Sequence, residues 1–185
     1  MGRRIVDVDA PDRFVAGDEL AGEDDGCYIE VVRSRRRMSV SVEREQLARL
    51  ADGLLMVVDE LERRGLVAIE IGAADPAPDR PARRQAFRAE TLTIEWDDDG
   101  HRVVVEARSP EPGTGAGESA PWPHATLEED IEDVPDDAPL GPDVLRIRLT
   151  PHMAQRFARQ AGRVAGGRAP GPHGRGGTGG PRPGG

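Results

Sequence analysis

The chain contains no lysine: all 25 of its basic residues other than histidine are Arg. Together with the abundant Ala, Gly, Pro and Asp, this bias reflects codon composition and carries no functional meaning. There is a single cysteine, Cys27, which excludes an internal disulfide framework. Aromatic residues make up only 3% of the chain, so a core must be assembled from Val, Leu, Ile and Ala. No apolar run approaches the roughly 18 residues that a membrane span needs. The start, Met1 to Asp7, is basic but acquires an acid before any apolar run forms, unlike a secretory signal. A cytoplasmic protein with no membrane contact is expected. A phosphate-binding loop, a nucleophile elbow and a dinucleotide fingerprint are all missing. The Gly-rich tail follows no strand, so it does not substitute for one.

What charge there is lies unevenly. The chain has 34 acids and a net charge of -9. Residues 151–185 hold Arg156, Arg159, Arg163, Arg168, Arg175 and Arg182 and no acid. The other 19 Arg, set against all 34 acids, leave residues 1–150 at -15. An acidic body with a basic end suits an anionic partner, or attraction between the two parts of one chain.

At 185 residues the length fits one domain with tails. Met38 to Val42 alternates as a strand and runs into an amphipathic helix over about Glu43–Arg64. That helix places Leu47, Leu50, Ala51, Leu54, Val58 and Leu61 on one stripe. Gly65 stands where a C-terminal cap belongs, and Gly53 interrupts the helix where close approach to a strand would account for it. The pattern returns as strand 145–149, then a helix with Thr150 as N-cap and Pro151 at its first position. Phe14–Gly17 is a brief apolar run. Cys27–Val32, Leu92–Trp96 and Arg102–Ala107 read as further strands, and Leu66–Ile71 as a short extra one. Residues 75–81 read as a linker. Residues 109–143 are Pro-, Gly- and acid-rich and read as a long acidic loop. From Gly166 onward the chain is Gly, Pro and Arg, a disordered tail.

Two halves, about 14–65 and 87–165, carry the order strand, strand, strand, helix. Phe14-Val15-Ala16 overlays Phe87-Arg88-Ala89, Ile29–Ser34 overlays Val105–Ser109, and Val40 and Val42 overlay Ile147 and Leu149. The expected fold is α+β over residues 1–165: one antiparallel sheet of about six strands with two helices on one face, and an internal pseudo-repeat.

The ordered set of Phe14–Gly17, Val40–Gln46, Phe87–Ala89 with Trp96-Asp97, Val103–Ala107 and Leu145–Pro151 resembles an actinobacterial family of conserved hypothetical proteins, the domain-of-unknown-function family numbered 3090. The resemblance covers nearly all of residues 5–168. It implies a cytoplasmic protein of a family with no assigned activity. It also implies a C-terminal Cys-rich element with the spacing of a zinc knuckle. In this chain the corresponding stretch, Gly171–Gly176 followed by Gly180-Pro181-Arg182, keeps its prolines and His173 but has no Cys. A lone His173 makes no structural zinc site, so that element is lost here.

Chemistry has few candidates. Cys27, on an apolar strand face, reads as a buried structural thiol rather than a nucleophile. Asp24-Asp25 and Asp97-Asp98-Asp99 lack the spacing of a calcium loop and read as solvated turns. His101, His124 and His152 share no motif. Glu30 and Glu106 hold matching places in the two halves. They are the only catalytic candidates, as a general acid and base, against the plainer role of cross-strand partners to Arg. No cofactor and no metal ion is expected. The reading is a non-enzymatic binding or adaptor module with a protein partner of unspecified identity. The alternatives are a small hydrolase or transferase with its site at the repeat interface, and a weak nucleic-acid contact through the Arg/Gly tail. Nucleic acid is otherwise not expected as a partner.

Overall fold

The computed structural model describes residues 4–18, 26–34, 36–68, 86–111, 131–132 and 142–167. The elements in order are β1 (Ile5–Asp9), β2 (Arg13–Asp18), β3 (Gly26–Arg33), β4 (Arg36–Glu43), α1 (Arg44–Arg63), β5 (Thr91–Asp97), β6 (Arg102–Arg108), β7 (Ile131–Glu132), β8 (Val144–Leu149) and α2 (Pro151–Ala165). Residues 66–68 are not a strand, and 69–71 lie outside the described residues, as do the linker at 75–81, most of the acidic loop and the tail from 168.

The fold is α+β, but the strands form two sheets where one of six was expected. Sheet A runs β5-β6-β8-β1, with the two-residue β7 on the far side of β1. Sheet B is the meander β2-β3-β4. The missing strands account for the difference. Residues 5–9, expected only as an extended lead-in, form β1 and pair in parallel with β8, Val6 opposite Leu145 and Val8 opposite Ile147. Residues 86–89 do the same for sheet B. Ser41 donates its N–H to the Phe87 carbonyl at 3.0 Å, and the Ser39 and Ser41 carbonyls accept from the Ala86 and Ala89 N–H groups. The edges at which the two meanders would have fused are therefore occupied, each by a segment from the other half.

The two insertions match in detail. Ala10 N–H donates to the Arg148 carbonyl at 3.0 Å, and Ala89 N–H to the Ser41 carbonyl at 2.8 Å. By this register residues 86–89 answer to the end of β1, not to Phe14-Val15-Ala16 as the sequence overlay had it. Phe14 pairs in β2 opposite Val31, and its counterpart in β5 is Leu92, opposite Ala107.

The helices cross over in the same way. They pack against each other, α1 also lying against β5 of the other half and α2 along β2. Leu47, Leu50, Leu54, Val58 and Leu61 of α1 are buried, with Leu55 and Val57 partly so. This wide stripe suits a helix that meets both a helix and a sheet. On α2, Phe157 stacks on Phe14 with ring centroids 4.0 Å apart. Both helices start from good caps. Thr150 Oγ1 accepts the Met153 N–H at 3.2 Å, and Gln46 Oε1 accepts the Glu43 N–H at 2.9 Å. Gln46 also donates to the Glu90 carbonyl at 2.9 Å. Arg44 reaches the Val164 carbonyl at 2.7 Å and Asp18 at 2.9 Å. A cation in the first turn of α1 thus serves the negative end of α2. Gly65, with φ +70°, closes α1 as the sequence suggested.

Gly53 sits where α1 meets β5: a Cβ there would lie 2.7 Å from the Ile94 terminal methyl. At the matching place on α2, Gln160 faces the small Ala16 and accepts its N–H at 3.3 Å. A large strand residue meets Gly in one contact, and a small one meets a long side chain in the other. Gly53→Leu is expected to lower stability by about 1–3 kcal/mol through overpacking. Gly53→Ala should be near neutral, because the roughly 1 kcal/mol gain in helix propensity offsets a small movement of the Ile94 methyl. Chemical denaturation of the two variants checks this. Cleavage at a protease site engineered between residues 69 and 85 should leave two pieces that co-elute at the mass of the intact chain with unchanged circular dichroism. Separation of the pieces in native buffer would show that the exchanged strands do not hold the halves together.

Candidate functional site

Alternation along each strand sends one set of side chains to the helices and the other to the opposite face. In sheet A the inner set includes Val6, Val8, Val103, Val105, Ala107, Leu145, Ile147 and Leu149, all buried. The outer set places Asp7 beside Arg146 and Asp9 beside Arg148, by the β1–β8 register, and Glu106 directly opposite Arg146 on β6.

Glu106 is the centre of this face. Its Oε2 accepts from Arg146 Nε and Nη2 at 2.9 and 2.8 Å, and its Oε1 accepts from Arg108 Nε at 2.6 Å. Arg146 continues to Asp7 at 3.9 Å, and Asp7 accepts from Arg148. The result is one connected ladder across β6, β8 and β1. Burial acts to raise the Glu106 pKa. The hydrogen bonds from Arg146 and then Arg108 outweigh it, so the carboxyl is held below its ordinary value. The same hydrogen bond pushes Arg146 upward.

Glu30 holds the matching rung of sheet B, opposite Ser39, and is fully buried. Arg37, two residues along β4, brings Nε to 3.5 Å of Glu30 Oε2. Tyr28 lies on the same face, over Gly17, its cross-strand neighbour; a Cβ on Gly17 would meet the phenol oxygen at 2.4 Å. Burial, and then the Glu30 charge, raise the Tyr28 pKa. Glu30 and Glu106 stand in different sheets with separate Arg partners, so the two candidate carboxylates do not meet.

The other candidates are dispersed. Cys27 is buried in the core cluster. Asp97 Oδ1 accepts the Asp99 and Gly100 N–H groups at 3.1 Å, and Asp98 accepts the Trp96 indole N–H, so these acids organise the β5–β6 hairpin. The positive φ of that hairpin falls on His101, at +50°, and not on Gly100. Gly100 is needed for space, since a Cβ would lie 2.6 Å from Asp97 Oδ2. His152 is half-exposed in the first turn of α2. Asp24, Asp25, His124 and His173 lie outside the described residues. Among the described residues no group of three or more His, Cys, Asp or Glu is placed to hold a metal ion, and no helix is long and apolar enough to cross a membrane.

A family model described as Protein of unknown function (DUF3090) matches residues 6–175. The chain belongs to this family. No curated protein and no solved structure matches it. The match takes in both exchanged strands, both sheets and both helices, so the DUF3090 chain unit includes the ion-pair ladder. Reading the sequence missed Asp7, Arg146 and Arg148 as members of the Glu106 cluster. Their signal is the alternation Leu-Arg-Ile-Arg-Leu in β8 and Val-Asp-Val-Asp in β1, which becomes a ladder only once β1 is known to lie against β8.

Removing the charge in Glu106→Gln is expected to cost about 1–3 kcal/mol at neutral pH, the scale of hydrogen bonds to a charged group. The folded pKa is depressed, so the contribution is fully present above the ordinary value of 4.5 and is lost as the pH falls through the lower folded value. Denaturant titrations of the native chain and the variant should therefore differ most near pH 7 and converge as the pH drops well below 4.5.

Proposed function

We propose that this DUF3090 protein is a binding or adaptor module that acts without catalysis, in a cytoplasmic setting. The observation that supports this reading is the use made of Glu106. A carboxylate gripped by two guanidiniums and drawn below its ordinary pKa suits a fixed structural anion, and not a group that must take up and release a proton near neutral pH. The surrounding Asp7, Arg146 and Arg148 are engaged in the same ladder, which gives the outer face of sheet A a rigid pattern of charge. Fixed surface charge of this kind orients partners and sets specificity more than it supplies affinity. Cys27 supports the same view, because a fully buried thiol in an apolar core is a packing residue.

The hydrolase or transferase reading needs Glu30 and Glu106 to act on one substrate, and their placement in separate sheets weighs against it. The nucleic-acid reading rests on the tail, which lies outside the described residues from 168 onward.

The test is recovery of a partner. The tagged full chain, cross-linked in its own host, is expected to return one complex at constant stoichiometry, and Glu106→Gln should return it too. Hydrolysis of ester or phosphoester substrates that disappears in Glu30→Gln or Glu106→Gln would overturn the proposal.

A further inference from the structure

Sheet A ends on β5, and the direction of its hydrogen bonds follows from the ladder beside it. The Val144 N–H and the Arg148 carbonyl of β8 bond Arg4 and Ala10, on the β1 side, so Leu145, Ile147 and Leu149 bond β6. By alternation Val104 and Glu106 bond Glu95 and Thr93, and the N–H and carbonyl groups of Leu92, Ile94 and Trp96 point away from the sheet. Among the described residues none of these outward groups has a partner. The matching edge of sheet B is β2, and there the arrangement differs. Ala16 answers to Ile94, and its outward N–H is taken by Gln160 of α2 at 3.3 Å. Gly53 of α1 holds the place of Gln160 and has no side chain to offer. About one turn further along, α1 has Met56, 70% exposed, where α2 has Arg163. One of two equivalent edges is closed by a side chain, and the other stands open beside an apolar rim.

We propose that the β5 edge and the adjoining flank of α1 take up, as an added strand, an extended segment of a partner protein that alternates apolar and basic residues; the proposal rests on the binding-module reading and names its surface. Helix α1 and β5 run side by side in the same direction, from Gln46 at the Glu90 carbonyl to Gly53 at Ile94. A strand that continues the sheet sends alternate side chains to the helix side. There Leu92, Ile94 and Trp96 are partly exposed, next to Val57 and Met56 of α1. The other side chains of the added strand come to lie beside Thr93 and Glu95. Glu90 and Glu95 are exposed and form no ion pair among the described residues. The arginines of β6 are engaged, Arg108 with Glu106 and Arg102 with the Gly100 and His101 carbonyls. The unmatched charge of this edge is therefore negative, and basic residues on the incoming segment complement it. A second copy of the chain complements it less well. In a self-pairing centred on Ile94, Glu95 lies diagonally across from its own image, between two chains that each carry -9. The same acids, with Asp98 at the Trp96 indole N–H, oppose a polyanion at the aromatic ring of the edge.

The test is fluorescence anisotropy of the full chain with a labelled peptide, as long as β5, that alternates Val and Arg. Saturable binding is expected. N-methylation of every second peptide amide should abolish binding in one phase and preserve it in the other, because only alternate N–H groups of an added strand point at β5. That comparison needs no variant of the protein. The double variant Gly53→Gln/Ile94→Ala copies the Gln160–Ala16 contact onto α1 and β5. It should weaken binding about tenfold or more while the circular dichroism stays native. Glu95→Arg, at an exposed position, should weaken it about threefold or more and keep the melting temperature within about 2–4 °C of the native value. Absence of saturable binding, or equal binding of the two methylated peptides or by the double variant, would overturn the proposal. So would a native dimer that the double variant dissociates, which would give the edge to a second copy. Tighter binding of a short oligouridine with the same dependence on these variants would overturn it too. A host partner whose recovery is indifferent to the double variant overturns this surface and leaves the binding-module reading standing. Loss of that reading would show itself separately, as catalysis that depends on Glu30 or Glu106.

Discussion

Two parallel strand pairings hold this molecule together: β1 on β8, and residues 86–89 on β4. A tight turn cannot join parallel neighbours, so each pairing must be made by chain that is distant in sequence. Here the distant chain comes from the other half in both cases. The last strand of each meander is an edge until the other half supplies its neighbour, and an open edge is a hazard that folded proteins cover. The closure entropy of these long-range contacts is recovered only when both are made. The two halves are therefore expected to fold as one cooperative unit and not as two modules on a linker.

The helices follow from the same exchange. Each leaves the last strand of its own sheet and comes to rest against the first strand of the other: α1 against β5, α2 along β2. The contacts that specify this placement are complementary in volume, with Gly53 beneath Ile94 and Gln160 over Ala16. Arg44 and Gln46, in the first turn of α1, tie it to the end of α2 and to the chain entering β5. The phenylalanine pair Phe14–Phe157 is the aromatic contribution to the same junction. A chain with 3% aromatic residues places two of them at the point where α2 meets sheet B.

The electrostatic arrangement depends on the insertion as well. Asp7 reaches Arg146 and Arg148 because β1 lies in register with β8. Without it, Arg146 would keep Glu106 and Arg148 would lose its carboxylate partner Asp7. The ladder that results draws the Glu106 carboxyl down in pKa and makes the outer face of sheet A internally balanced. Helix α2, by contrast, holds no acid of its own.

Local pattern was legible. Pattern along the chain identified β3, β4, β5, β6 and β8, a brief apolar run marked β2, and the 3.6-residue stripe identified both helices to within a residue or two. Thr150, Pro151 and Gly65 marked the ends, because each of these signals is written in near neighbours along the chain. The matching rungs of Glu30 and Glu106 were visible for the same reason, and so was an Arg as the cross-strand partner of Glu106. Partner choice between distant segments was not legible. Residues 86–89 are too short to show a strand period, and although Val6-Asp7-Val8-Asp9 alternates, nothing in Val6 or Ala86 names the strand it will join. Whether two meanders fuse into one sheet or exchange edges into two is decided by which backbone N–H and carbonyl groups are satisfied across the whole fold. Only the assembled chain makes that choice, and with it the placement of Asp7 beside Arg146 and the separation of Glu30 from Glu106.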